Sequence, residues 1–297
     1  MSERTREESL ELLVKRDNPN RRNLLSGAGK LVYPMLTRIA TAQINKEYKS
    51  YVYGRDNIPS EDLPIVFVGS HQDHEDTRRY LTAVERPVDT LAAIDGDSSS
   101  SDWLQLELVG VVPVLRGDDD LARDHQAAAY REMIRNIRKG RSQFVYPEAT
   151  YCLAFNNMLG LHKGSAIGVA METGSLIVPV TAVYVPNRDY GIEAGCVEFG
   201  QPFSPSEYKD SIVAARALRD RILEMKIERN KEFNPGMTQN EWNMFIAARM
   251  KKYPTDDDYY GGIEYSINPD SDDGKYKTPE KLEEARRKYK PQLQQAA

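Results

Sequence analysis

Residues Pro64–Asp76 read "PIVFVGSHQDHED". The first part, "PIVFV", is a continuous apolar run of the kind a strand buried on both faces requires. The second part, Gly69–Asp76, crowds two histidines and three acids into the residues where that strand must end. Acids suit the positive end of a helix, so the pattern predicts a helix over Asp73–Glu85. A buried strand, a titratable turn and a helix in succession call for an α/β fold with chemistry at the carboxyl end of an inner strand.

The rest of the chain keeps this rhythm. "KSYVYG" before the stretch reads as a short strand. After it, "DTLAAID", "VVPVLR", "SQFVYPEAT", "SLIVPVTAVYV" and "AGCVEFG" read as strands. "DDDLARDHQAAAYREMIRNIRKG" is a long helix with an acidic start, a basic finish and a closing Gly140. "HKGSAIGVAMETG" is a helix ending at Gly174, and "SPSEYKDSIVAARALRDRILEMKIERN" a long one with a Ser cap. Alternating strands and helices imply an α/β architecture: a mixed, largely parallel central sheet flanked by helices. Three regions are expected: N-terminal helices over 1–47, the α/β domain over 48–235, and an acidic, partly irregular extension over 236–297.

Composition narrows the function. The chain has 297 residues, 40% hydrophobic and 29% charged, with a net charge of −5. That is globular, and no nucleic-acid partner is expected of it. Two cysteines, Cys152 and Cys196, exclude a disulfide framework. The start, "MSERTREESLELLVKRD", lacks a signal-peptide apolar core, and no apolar run reaches the roughly 18–20 residues needed to span a bilayer. A cytoplasmic location is therefore expected. Residues 1–50 carry ten Lys and Arg against six Asp and Glu, a surplus of four. Within them Asn23–Glu47 sets Leu24, Ala28, Leu31, Met35, Ile39 and Ala42 at helical spacing, with a kink expected at Pro34. A basic segment with an apolar stripe suits an anionic membrane surface, or else a helix packed on the protein's own core.

"HQDHED" admits two chemistries. H-x-x-H-x-D approaches a metal-ligand run, but the chain has only four histidines, His71, His74, His125 and His162, so few ligands remain. The other reading pairs His71 with Asp76. On one continuous helix five residues turn through about 500°, and the two side chains would diverge. With His71 in the turn before the helix, Asp76 in its first turn can reach back to the ring. A carboxylate on one imidazole nitrogen fixes the tautomer and leaves the other to take a proton. With no G-x-S-x-G nucleophile elbow in the chain, the activated hydroxyl would belong to a substrate.

Four further segments follow in order: "VVPVLRGD", "VYPEATY", "LHKGSAIGVAMETG" and "LIVPVTAVY". From about Tyr51 to Phe203 the series resembles the glycerolipid acyltransferases of the lysophosphatidic-acid and glycerol-3-phosphate acyltransferase superfamily. That family has an N-H-x-x-x-x-D block, a G-x-I-x-x-x-R block, an F-P-E-G-T-R block, a K-x-G helix start and a V-P-V strand. The resemblance implies His71 as general base and Asp76 as its orienter. It implies Arg116 on the acceptor's polar head, and Glu148, Ala149, Thr150, Tyr151 and Lys163 around the acceptor, with Pro179 as structural support. The implied reaction is direct attack of a lysolipid hydroxyl on an acyl thioester. The donor would be acyl-CoA or acyl carrier protein, with no metal and no other cofactor, and the protein would lie peripherally on the inner face of a membrane. Two positions depart from the pattern: Ala149 stands for the family's Gly and Tyr151 for its Arg. The acceptor is then 1-acylglycerol-3-phosphate, or a glycolipid or lysolipid with a larger head group. A non-catalytic lipid- or acyl-carrier-binding protein is the reading from a different class. "RNIRKGR" (135–141) suits a solvated helix end or a dock for an acidic carrier.

Overall fold

A computed structural model describes residues 33, 35, 37–60, 63–73, 75–84, 86–93, 110–114, 120–148, 155–156, 165–189 and 191–252. Seven strands form one sheet. They are β1 (Lys49–Tyr53), β2 (Ile65–Gly69), β3 (Val88–Ala93), β4 (Val111–Val114), β5 (Ser142–Val145), β6 (Leu176–Pro186) and β7 (Ile192–Phe199), in the order β1-β7-β6-β2-β5-β3-β4. β6, β2, β5, β3 and β4 run parallel; β7 is antiparallel to β6, and β1 follows β7. The sheet is mixed and largely parallel, as the sequence rhythm predicts.

Helices cover both faces. We label them α1 (37–47), α2 (Asp76–Val84), α3 (Asp120–Arg138), α4 (Ser165–Thr173), α5 (Ser211–Phe233) and α6 (Gln239–Lys252). Every residue of β2 is buried. Ile65 and Phe67 meet Ile44 of α1, Tyr80, Ala83 and Val84 of α2, and Trp242, Phe245 and Ile246 of α6. Val66 and Val68 meet Met133, Ile134 and Ile137 of α3, Ala166 to Ala170 of α4, and Leu218 and Ile222 of α5. This two-sided burial is why "IVFV" carries no polar alternation. The core also reaches past residue 235, because α6 seals one face.

The connections set up a crevice. β2 leads through α2 on one face toward β3, while its neighbour β5 leads through α4 on the other face toward β6. Adjacent parallel strands whose helices leave to opposite faces open a gap at their carboxyl ends, where such sheets bind ligands. Pro179 is tolerated in the central strand β6 because its strand-edge partner there is Gly200, one residue past β7. Gly200 N–H donates to Pro179 O at 2.8 Å, so the missing proline N–H falls where the β6–β7 ladder ends.

Two boundaries differ from the sequence reading. α2 begins at Asp76, three residues late, because Asp73 forms a turn: its carbonyl accepts from Asp76 N–H at 3.0 Å and its carboxylate from Glu75 N–H at 3.0 Å. α5 is capped by Asp210, not by a serine; its Oδ1 accepts from Ile212 N–H and Val213 N–H, both at 2.9 Å. The acidic stretch after 252 lies outside the described residues.

At the end of the sheet opposite the crevice, Asp89 of β3 is 1% exposed. It accepts from Arg141 Nε at 2.9 Å, Asn136 Nδ2 at 3.0 Å and Gln143 Nε2 at 3.1 Å. Burial pushes its carboxyl up, and the Arg141 guanidinium pulls it back. Removing one partner of such a pair strands the other charge. Asp89→Ala should therefore cost about 3–5 kcal/mol in urea unfolding. A loss of only about 0.2–1 kcal/mol would show the pair to be effectively solvated.

Candidate active site

The turn between β2 and α2 places His71 at the crevice. Its Nδ1 lies 3.0 Å from Asp76 Oδ2; the His side chain is 16% exposed and the Asp side chain fully buried. The five-residue spacing works because His71 sits before the helix and Asp76 is its first residue. Asp76 Oδ2 also accepts from the backbone N–H of Gln72 at 2.5 Å and of Asp73 at 2.8 Å. Oδ1 accepts from the Tyr184 hydroxyl on β6. Four donors converge on one carboxyl group, the pattern of a carboxylate acting only as an acceptor. With Nδ1–H directed at it, the lone pair of the imidazole is carried on Nε2.

The neighbouring strand holds the other side of the ring. Glu148, fully buried in the turn after β5, accepts from His71 N–H at 2.9 Å. The Tyr146 ring stacks on the imidazole at 4.0 Å between centroids, and its hydroxyl lies 2.9 Å from Thr77 Oγ1. Tyr80 donates to the Ser70 carbonyl at 2.9 Å, just before His71. From α5, the fully buried Lys226 reaches the same turn. With the Gln72 amide oriented to satisfy both neighbours, its oxygen accepts from Lys226 Nζ at 2.6 Å and its nitrogen donates to Ala182 O at 2.8 Å.

Arg79, one turn along α2 from Asp76, is 2% exposed. Its Nε donates to the Tyr48 hydroxyl at 2.6 Å, and its guanidinium lies over the rings of Tyr48 at 4.2 Å and Tyr184 at 4.5 Å. Neither Nη meets a hydrogen-bond acceptor among the described residues. A Cβ at Gly195 would fall 1.8 Å from Arg79 Nη1, so only glycine leaves room for the guanidinium there.

In sequence, the chain is 30% identical over 148 residues to a chloroplastic 1-acyl-sn-glycerol-3-phosphate acyltransferase of Arabidopsis thaliana. It is 28% identical, also over 148 residues, to a chloroplastic one of Brassica napus. These matches take in 48% of the chain and 38–39% of the relatives. In fold, the 1-acyl-sn-glycerophosphate acyltransferase PlsC from Thermotoga maritima superposes with a TM-score of 0.56 at 18% identity, covering 68% of this chain and 81% of that one. The chain resembles the glycerolipid acyltransferases in sequence and in fold. No model of a known protein family matches it, and it spans about two fifths of the length of the curated relatives.

Set against that resemblance, the motif residues divide. His71, Asp76 and Glu148 come together at the crevice. Arg116, Ala149, Thr150, Tyr151, Lys163, His74, His162 and Cys152 lie outside the described residues. His125 is half-buried in α3, and Cys196 is buried in β7, where burial pushes its thiol up to about 12. Such a thiol is a packing group rather than a nucleophile. In "RNIRKGR", Arg135, Arg138 and Lys139 are exposed, while Arg141 is committed to Asp89. Sequence reasoning missed Tyr146, Tyr184, Arg79, Gln72 and Lys226. Tyr146 carried a signal, since it immediately precedes the "PEAT" turn; the others read as ordinary core or surface positions.

Proposed function

We propose that this chain transfers a fatty acyl group from a thioester to the hydroxyl of a lysophospholipid such as 1-acylglycerol-3-phosphate. The observation that carries this reading is the His71–Asp76 pair at the carboxyl end of β2, with the imidazole presented at the crevice and its carboxylate buried beneath. The acceptor hydroxyl attacks the thioester carbonyl while Nε2 of His71 takes its proton. The tetrahedral intermediate then expels the thiolate, which recovers that proton from the imidazolium. One ester and one thiol leave, and no acyl-enzyme forms. The donor is acyl-CoA or acyl carrier protein. No metal is called for: the base and its orienting carboxylate supply the proton transfer, worth about 10²–10⁴-fold in rate.

The acceptor and donor lie in or against a membrane, and α1 is the element suited to meet it. Tyr33, shortly before α1, and Ile44 turn into the core at 4% and 2% exposure, while Ile39 and the preceding Met35 are 49% and 55% exposed. Arg38 and Lys46 are exposed on the same helix. Among the described residues no helix is long and apolar enough to cross a membrane. This reading places the protein peripherally on the inner face. The expected kink at Pro34 and the stripe before residue 33 lie outside the described residues.

His71→Ala should abolish thiol release from acyl-CoA in the presence of lysolipid while leaving the circular dichroism spectrum unchanged. Asp76→Asn should lose most activity, because an amide cannot accept from all four donors. Near-normal turnover in a folded His71→Ala protein would sink the mechanism. Replacing Met35 and Ile39 together by Gln should weaken co-sedimentation with anionic vesicles without slowing transfer to a soluble short-chain acceptor; equal sedimentation would remove α1 from the membrane.

The acceptor is the open choice, and Tyr151 bears on it. A phosphate monoester wants several cations or a bidentate Arg, whereas a tyrosine donates a single neutral hydrogen bond. Losing one charge-assisted contact costs about 1.5–3 kcal/mol, or roughly one to two decades of discrimination. Tyr151→Arg should therefore raise kcat/KM for lysophosphatidic acid relative to a lysolipid with a larger head group. A wild type that already favours lysophosphatidic acid strongly, with a ratio unmoved by the substitution, would show that other cations suffice.

A further inference from the structure

We infer that Tyr184 is a third member of the His71–Asp76 unit, a positioning residue that locks the plane of the Asp76 carboxylate against His71 Nδ1. The inference rests on the acyltransfer reading for its consequence in turnover, though not for its geometry. Asp76 Oδ2 is gripped by His71 Nδ1–H and by the backbone N–H groups of Gln72 and Asp73. All three donors act on one oxygen, so by themselves they leave the carboxylate free to pivot about it. The Tyr184 hydroxyl is the donor on Oδ1 among the described residues. Two anchored oxygens fix a plane where one leaves an axis.

Tyr184 is itself held. Its ring lies under the Arg79 guanidinium, which also meets the Tyr48 ring. Its carbonyl accepts from Asn234 Nδ2 at 3.0 Å, at the end of α5. Burial, and then the nearby Asp76 charge, push the phenol well above its ordinary range, so it keeps the proton it donates. Arg79 sits on a tyrosine that bonds the catalytic carboxylate, and the whole stack is closed from solvent. A buried cation without a direct carboxylate partner is costly unless aromatic faces and a nearby charge stabilise it. Here both lie on the line that ends at Asp76.

The test is Tyr184→Phe, which keeps the ring, its burial and its contact with Arg79 and removes only the donor. In protein carrying ¹⁵N-labelled histidine, the ring nitrogen shifts of His71 report its tautomer through the carbon-bound protons. They are assigned by their absence from His71→Ala. In the wild type His71 should be protonated on Nδ1. In folded Tyr184→Phe it should become a mixture with the Nε2–H form, and kcat should fall about tenfold or more with KM nearly unchanged, the weight of one hydrogen bond to a charged group. A purely structural role for Tyr184 would lower the unfolding midpoint without moving the tautomer. An unchanged tautomer, or an unchanged kcat in a folded variant, overturns the inference. If the wild type transfers no acyl group from any thioester, the reading of function fails, and the tautomer alone decides the place of Tyr184.

Discussion

Asp76 has no contact with solvent, and a bare carboxylate could not be held there. Desolvating it costs several kcal/mol unless its lone pairs are filled. The fold answers with two backbone N–H groups from the turn, one imidazole and one phenol. Each requirement shapes a different element. The backbone donors hold Gln72 and Asp73 in a turn ahead of the helix. The phenol requires β6 to lie beside β2 in parallel. The imidazole is then the one donor of the four that stands at the crevice, and the chemistry proposed above rests on its being there.

The sheet order makes this convergence possible. β2, β5 and β6 are neighbours, and each sends its carboxyl end to the same rim. β2 brings His71, β5 brings Tyr146 and Glu148, and β6 brings Tyr184. α5 adds Lys226 against Gln72 from a fourth direction. No two of these groups need a long loop to meet, because the strands already carry them within hydrogen-bonding distance. A site built on strand ends in this way holds its geometry more closely than one built on loops.

Local signals were readable and distant ones were not. "PIVFV" announces β2 because an inner strand shows apolar residues on both faces, and Gly140 and Gly174 announce the ends of α3 and α4. The His71–Asp76 pair was legible because both residues lie in one short segment. The start of α2 was misplaced by three residues because Asp73 and Glu75 have the composition of a helix start, while Asp73 in fact closes a turn. Tyr184 lies 108 residues from Asp76. In sequence it is one more large residue in a strand whose alternate positions all face the core. Arg79 offered no hint either, since a charged residue on a short helix ordinarily faces water, and its burial depends on Gly195 far along the chain.

The same arrangement ties the surface of α1 to His71. Immediately after α1, the Tyr48 hydroxyl accepts from Arg79 Nε, and its ring meets the Arg79 guanidinium. At the last turn of α1, Glu47 pairs with Arg78, which also pairs with Glu75 in the turn beside His71. Partly exposed pairs of this kind add little stability, but they set orientation. Arg78 and Arg79 are consecutive, so the helix that begins with Asp76 is held to the end of α1 by two adjacent side chains, one half-buried and one buried. A segment whose outer side is apolar and whose inner end grips the helix that starts at Asp76 gives the crevice a defined attitude toward whatever surface α1 rests on. For the acyl transfer proposed above, that attitude would decide whether Nε2 of His71 faces the acceptor at all.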